Sequence, residues 1–252
     1  MPSVYVFSDL SLLSQYAAAR FNGLAEQALV ERGKFLTTLS GGSTPEALFR
    51  LLAQPPYSDK PWWPQVHLFW ADERCVPPDD PESSYGQVKR LLLGSVQIPP
   101  AQVHRVFGEQ DPAEAAAGYR RELAACAAPG LDCPRFDLVL LGMGTDGHTA
   151  SLFPGSAPDP AESALAVTGN YQDRPARRVT LSPRVLNAAR QVFFMAVGAN
   201  KADTLVKVLG GPPDEVNLPS QRIRPAAGEV TWLVDEAAAQ KLPETLKMRI
   251  IP

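Results

Sequence analysis

Short apolar runs and amphipathic stretches take turns along this chain, and that alternation constrains its fold more than any other feature. Apolar residues recur at Leu13, Ala17, Phe21, Leu24 and Ala28. These steps of three and four mark one face of a helix predicted from Ser8 to Arg32 and stopped by Gly33. A run from Phe35 to Leu39 then halts at Gly41-Gly42, the pattern of a strand followed by a turn. Ser43-Thr44-Pro45-Glu46 restarts a helix with a hydroxyl cap, an early proline and an acid in the first turn. The same reading predicts strands over Val66 to Trp70, Phe136 to Leu141, Val179 to Leu181, Val192 to Val197 and Val230 to Val234. It predicts helices after Glu82, over Asp111 to Ala128, over Asn200 to Leu209 and from Asp235. The expected class is α/β, three-layer, with a mainly parallel sheet flanked by helices.

Two proline-rich stretches, Gln54 to Pro64 and Gly210 to Gly228, interrupt the rhythm without a change of composition on either side. They read as loop punctuation, so a single domain over residues 1–252 is expected. With 45% apolar and 20% charged residues the chain can bury a large core. Its net charge of −3, with no basic block, argues against general nucleic-acid binding. The start lacks a basic segment and meets Asp9 early, and no apolar run reaches the roughly 18 residues of a membrane span. A cytoplasmic location without membrane contact follows as an expectation. His67, His104 and His148 form no HExxH pair, and Cys75, Cys126 and Cys133 show no CxxC spacing. No metal, cofactor or disulfide framework is therefore expected.

In parallel α/β sheets ligands bind beyond the carboxyl ends of strands, where loops feed helix N-termini. Three such loops are chemically unusual. In Ser40-Gly41-Gly42-Ser43-Thr44-Pro45, glycines admit close backbone approach and the following helix offers its positive end to a phosphate. Taken alone, a plain glycine turn with a hydroxyl cap explains those residues equally well. Asp72-Glu73-Arg74 puts three charges at a strand end, as a salt-bridged rim or as a grip on a sugar and an anion. The third loop, Gly142-Met143-Gly144-Thr145-Asp146-Gly147-His148, has dinucleotide-like glycine spacing. Pro154-Gly155 and Pro158-Asp159-Pro160 leave little room for the helix a dinucleotide needs, and Val167 stands where its acid belongs. What remains is a histidine two positions from a carboxylate in a glycine-built loop; a lone histidine is more often a satisfied structural residue, but this setting suits a general base better than most. Arg178 and Lys201 bring cations to the same sheet edge. A lysine in a first helical turn opposes the helix dipole, as an anionic ligand would allow, and a solvated lysine is equally common there.

These segments resemble the 6-phosphogluconolactonase family of the oxidative pentose phosphate pathway over nearly the whole chain. The resemblance rests on Ser40-Gly41-Gly42-Ser43, Asp72-Glu73-Arg74, Glu82 to Gly86, GTDGHTASLFP from Gly144 to Pro154, Arg178 to Leu181, Leu186 to Arg190 and Gly198 to Ala202. It implies a modified Rossmann-like fold of the sugar-phosphate isomerase and lactonase type. It also implies metal-free hydrolysis of 6-phospho-D-glucono-1,5-lactone by a monomer or weak homo-oligomer. His148 would be the general base and Asp146 would orient or polarise the site. Gly41, Gly42, Ser43, Arg178 and Lys201 would belong to the phosphate site, while Asp72 and Arg74 would position the sugar or aid the oxyanion. The chain is also similar to glucosamine-6-phosphate deaminase, which carries a glutamate five residues past its DGH histidine and a tyrosine after Asp-Glu. Phe153 and Arg74 occupy those places here. A sugar-phosphate sensor without catalysis is the remaining alternative, and it has no use for His148.

Overall fold

The computed structural model describes residues 2–169 and 174–249. The chain opens with β1 (Ser3–Phe7), α1 (Leu10–Arg32), β2 (Phe35–Leu39), α2 (Ser43–Leu52), β3 (Val66–Trp70) and β4 (Asp72–Arg74). Then come α3 (Ser84–Val88), β5 (Val103–His104), α4 (Pro112–Ala125), β6 (Leu138–Gly142), β7 (Ala164–Thr168) and β8 (Arg177–Leu181). It continues with α5 (Pro183–Asn187), β9 (Gln191–Ala196), α6 (Ala202–Gly210), β10 (Glu229–Asp235), α7 (Glu236–Ala239) and β11 (Met248–Arg249).

Among the described residues the central sheet has eight strands in the order β11-β1-β10-β9-β6-β2-β3-β5, every pair parallel. Parallel strands covered on both faces are apolar on both, and alternate residues divide between two cores. Leu138 and Leu140 of β6, with Phe193 and Met195 of β9, join α1 and α2 on one side. Val139 and Leu141, with Val192 and Phe194, join α4 to α7 on the other. The α1 helix starts where Asp9 accepts from the Leu12 N–H at 2.9 Å and stops at Gly33, whose left-handed backbone (φ 70°) an L side chain resists. Phe21 packs edge-on against Phe35 at 5.1 Å. Truncating so buried an aromatic costs about 3–5 kcal/mol.

The strand order places the site. From β2 the chain steps outward to β3 and β5, then returns to β6 on the other side and steps outward to β9 and β10. The order reverses between β2 and β6, so their C-terminal loops open a crevice there.

The structure departs from the sequence reading in several elements. β1 was not predicted, yet it pairs between β10 and β11. Asp72–Arg74 is a strand rather than a loop. It leaves β3 and pairs antiparallel with β8, which pairs with β7 in a separate sheet. Val179 to Leu181 thus belongs outside the parallel sheet, because the backbone of β8 is taken up by β4 and β7. The helix after Glu82 has one α-helical stretch and then a π turn over Lys89–Leu93. The helix predicted from Asp235 is only Glu236–Ala239, and that over Asn200 to Leu209 begins as a 3-10 turn, Ala199–Lys201. No helix among the described residues is long and apolar enough to cross a membrane.

Candidate active site

A cavity of about 310 Å³ opens at the crevice between the β2 and β6 loops. Gly41, Gly42, Ser43, Asp72, Arg74, His148, Arg178 and Lys201 all line it, so the tertiary structure brings together nearly every residue singled out in the sequence. Asp146 does not line it, but contacts His148, which does.

The β6 loop is built around that pair. His148 Nδ1 lies 2.6 Å from Asp146 Oδ1, which also accepts the His148 backbone N–H at 3.1 Å. An ionised carboxylate only accepts, so Nδ1 carries the ring proton and Nε2 carries the basic lone pair. Burial raises the Asp146 pKa, but the hydrogen bond and charge of His148 outweigh it and hold the carboxyl below its ordinary value. Gly144 makes the pair possible, since a Cβ there would sit 2.1 Å from His148 Nδ1 and 2.5 Å from Asp146 Oδ1. The loop is pinned from outside. Ser220, in the proline-rich stretch, donates from its backbone and hydroxyl to the Gly147 carbonyl at 2.9 and 2.8 Å. Thr149 Oγ1 donates to the Gly142 carbonyl at 2.8 Å. Ala150 adopts φ 47° next to them, a strained conformation of the sort held at functional loops by surrounding bonds.

The second wall comes from the small antiparallel sheet. Register pairs Asp72 with Thr180 and Arg74 with Arg178, so these four side chains share one face. Ser151 Oγ donates to Asp72 Oδ2 at 2.6 Å, and Arg178 Nη1 stands 3.9 Å from the same oxygen. Arg178 is 2% exposed and Arg74 9%. Burial and the charges of Arg74 and Arg174 push the Arg178 pKa down, against the pull of Asp72. Arg178 Nη2 and Arg74 Nε are buried with no hydrogen-bond partner among the described residues. Unmatched cationic donors in a low-dielectric wall are costly unless an anion meets them.

Glu73 points the other way and fastens this wall. Its carboxylate accepts backbone N–H bonds from Arg74, Ser84 and Tyr85 at 2.7–2.8 Å, and the Ser83 hydroxyl at 3.2 Å. Burial pushes its pKa up, opposed by those N–H bonds. Cys75 follows Arg74, and burial pushes its thiol up to about 11, so it stays protonated near neutral pH.

The β2 loop departs in one detail from a simple phosphate cradle. Gly42 has φ 117°, a region open to glycine, but its N–H donates to Gln87 Oε1 at 2.9 Å while Gln87 Nε2 returns a bond to its carbonyl. That clamp leaves Ser43 and Thr44, at the N-terminus of α2, as the part of the loop suited to an anion; the helix has no side-chain cap. Lys201 enters from the turn after β9, at the N-cap of α6. Sequence reasoning missed Arg174 and Asn200, which also line the cavity. Nothing local distinguishes them, although Arg174 lies four residues before Arg178.

The family model for glucosamine-6-phosphate isomerases and 6-phosphogluconolactonase matches residues 8–232. The chain belongs to this family. The 6-phosphogluconolactonase of Mycobacterium tuberculosis is 40% identical over 253 residues, covering 96% of this chain and 98% of that protein. The Haemophilus influenzae 6-phosphogluconolactonase is 38% identical over 205 residues, 81% of this chain and 86% of that one. The solved structure of 6-phosphogluconolactonase from Trypanosoma brucei superposes with a TM-score of 0.85 at 27% identity, covering 96% of this chain and 99% of that one. The parallel sheet flanked by helices is thus the fold of this isomerase and lactonase family.

Proposed function

We propose that this chain hydrolyses 6-phospho-D-glucono-1,5-lactone to 6-phosphogluconate, as the resemblance implies, in the oxidative pentose phosphate pathway. The observation that carries the mechanism is the Asp146–His148 pair at a cavity walled by buried cations. His148 Nε2 takes a proton from water as its oxygen attacks the lactone carbonyl. Asp146 holds the ring tautomer and stabilises the imidazolium. As the tetrahedral intermediate collapses, the carbon to ring-oxygen bond breaks and Nε2 returns the proton to the departing alkoxide. The carboxylic acid product then ionises.

Arg178, Lys201 and the α2 N-terminus at Ser43, beside Gly41 and Gly42, hold the 6-phosphate. Arg74, directly opposite Arg178, shares that charge, and Asp72 accepts a sugar hydroxyl. Phe153 packs its ring 5.1 Å from that of His148, where the deaminase resemblance would place a glutamate. This favours a hydrolase over a ring-opening isomerase, and the reaction needs no metal or other cofactor. We read residues 1–252 as one domain, a monomer or weak homo-oligomer, working in the cytoplasm on a charged substrate that does not diffuse through a bilayer. The test is release of acid, or of 6-phosphogluconate in a dehydrogenase-coupled assay, from fresh lactone. Rates no higher than spontaneous hydrolysis would overturn the proposal.

A further inference from the structure

At the β5 edge of the sheet, three groups with metal-binding chemistry meet although they lie far apart in the chain. His67 sits on β3, His104 ends β5, and Cys126 is the C-cap of α4. Register sets Phe69 beside His104, and the His104 ring stacks on Phe69 at 4.2 Å and on His67 at 5.3 Å. None of the three lines the cavity. One donor atom from each lies within 4.8 Å of the other two.

His67 Nδ1 is 3.0 Å from His104 Nε2, and Cys126 Sγ is 4.0 Å from the same nitrogen. The other nitrogen of His104, Nδ1, lies 3.0 Å from Glu122 Oε2. A carboxylate there fixes the proton on Nδ1 and aims the Nε2 lone pair at His67 and Cys126, as carboxylates orient metal-bound imidazoles. His104 is 8% exposed, while His67 and Cys126 are half-buried, which leaves the cluster reachable. A tetrahedral zinc, with bonds of about 2.0–2.1 Å to nitrogen and about 2.3 Å to sulfur, keeps its donors roughly 3.3–3.6 Å apart. Movements of about 1 Å would bring these atoms into that range.

We propose that His67, His104 and Cys126 form a zinc(II) site, oriented by Glu122, that ties β5 and the C-terminus of α4 to β3. Two nitrogens and one thiolate select a borderline-soft ion over magnesium or calcium. On binding, two Zn–N bonds and one Zn–S bond form and the thiol proton leaves to solvent. Without metal the His67 Nδ1–H donates to His104 Nε2; on binding that hydrogen bond breaks and His67 moves its proton to Nε2 so that Nδ1 can ligate, while water fills the fourth position. The spacing argument from sequence excluded a metal site because the ligands are separated by 37 and 22 residues, distances no short motif covers.

The test uses the full chain, free of any polyhistidine tag, stripped with chelator and titrated with zinc chloride and then cobalt chloride. Expected are one zinc equivalent with a proton released per ion, and a near-ultraviolet thiolate-to-cobalt band with four-coordinate visible absorption. Cys126→Ser, with unchanged circular dichroism, should abolish that band and weaken zinc binding at least tenfold. Glu122→Ala should weaken it about 10–100-fold. A wild-type chain that binds no stoichiometric zinc, or a folded Cys126→Ser that binds both metals as wild type does, would overturn the site.

Discussion

Arg74 and Arg178 stand directly opposite one another across the β4–β8 pair, both buried. Like charges in that position destabilise a sheet. Asp72, 3.9 Å from Arg178, and Glu82, 3.6 Å from Arg74, offset part of that cost, and the 6-phosphate of the proposed substrate would offset more. A charge-assisted contact is worth about 1.5–3 kcal/mol. Arg178→Ala and Lys201→Ala should therefore each cut kcat/KM for the phosphorylated lactone by roughly 10–150-fold. Glucono-1,5-lactone without the phosphate should lose little. Equal fractional losses on both substrates would show that these cations support the fold or the carbonyl instead.

His148→Ala should lower kcat about 10²–10⁴-fold with little change in KM, the worth of a positioned general base. A folded variant with near wild-type turnover would remove His148 from the mechanism.

Asp146 supplies a pH test of the same pair. Its folded-state pKa is depressed, so its contribution to stability is present above the unfolded value of about 3.9 and lost as pH falls through the folded value. The Tm gap between wild type and Asp146→Asn should be fully present near about pH 5 and narrow toward about pH 2. Thermal melts across that range check it; a gap that widens in acid contradicts the pairing.

Gly144→Ala isolates the geometry of the loop. A Cβ 2.1 Å from His148 Nδ1 must displace the ring or the backbone. Turnover should fall by at least tenfold while circular dichroism and phosphate-dependent binding of product stay close to wild type. Full activity would mean that the loop relaxes without moving the imidazole.

Glu73→Gln should destabilise the chain, because an amide nitrogen replaces an oxygen that accepts two donors. Each donor left unmatched costs about 1–3 kcal/mol. Urea unfolding midpoints measure the loss, and an unchanged midpoint would show that the β4 turn is held by other contacts.

The sequence by itself determined the elements whose cause is local. Apolar period and caps predict α1, and continuous apolar runs predict β2, β3, β6 and β9, because each signal lies within a few residues of the element it forms. The same locality exposed Asp146-Gly147-His148, where glycines and a carboxylate two positions away are visible in one glance along the chain. Strand β1 escaped because five residues leading into the Asp9 cap carry too short a pattern to distinguish a strand from a lead-in to α1 until β10 and β11 pair with it. Asp72–Arg74 escaped because three charges do not look like a strand until a partner takes their backbone bonds. Tertiary structure alone decided which side chains face one another. The bond from Ser151 to Asp72 spans 79 residues, Arg74 meets Arg178 only through sheet register, and the His67, His104 and Cys126 cluster needs β3, β5 and the end of α4 together. Strand order and register are set by packing both faces of the sheet at once, and that global balance leaves no periodic trace in any single stretch of sequence.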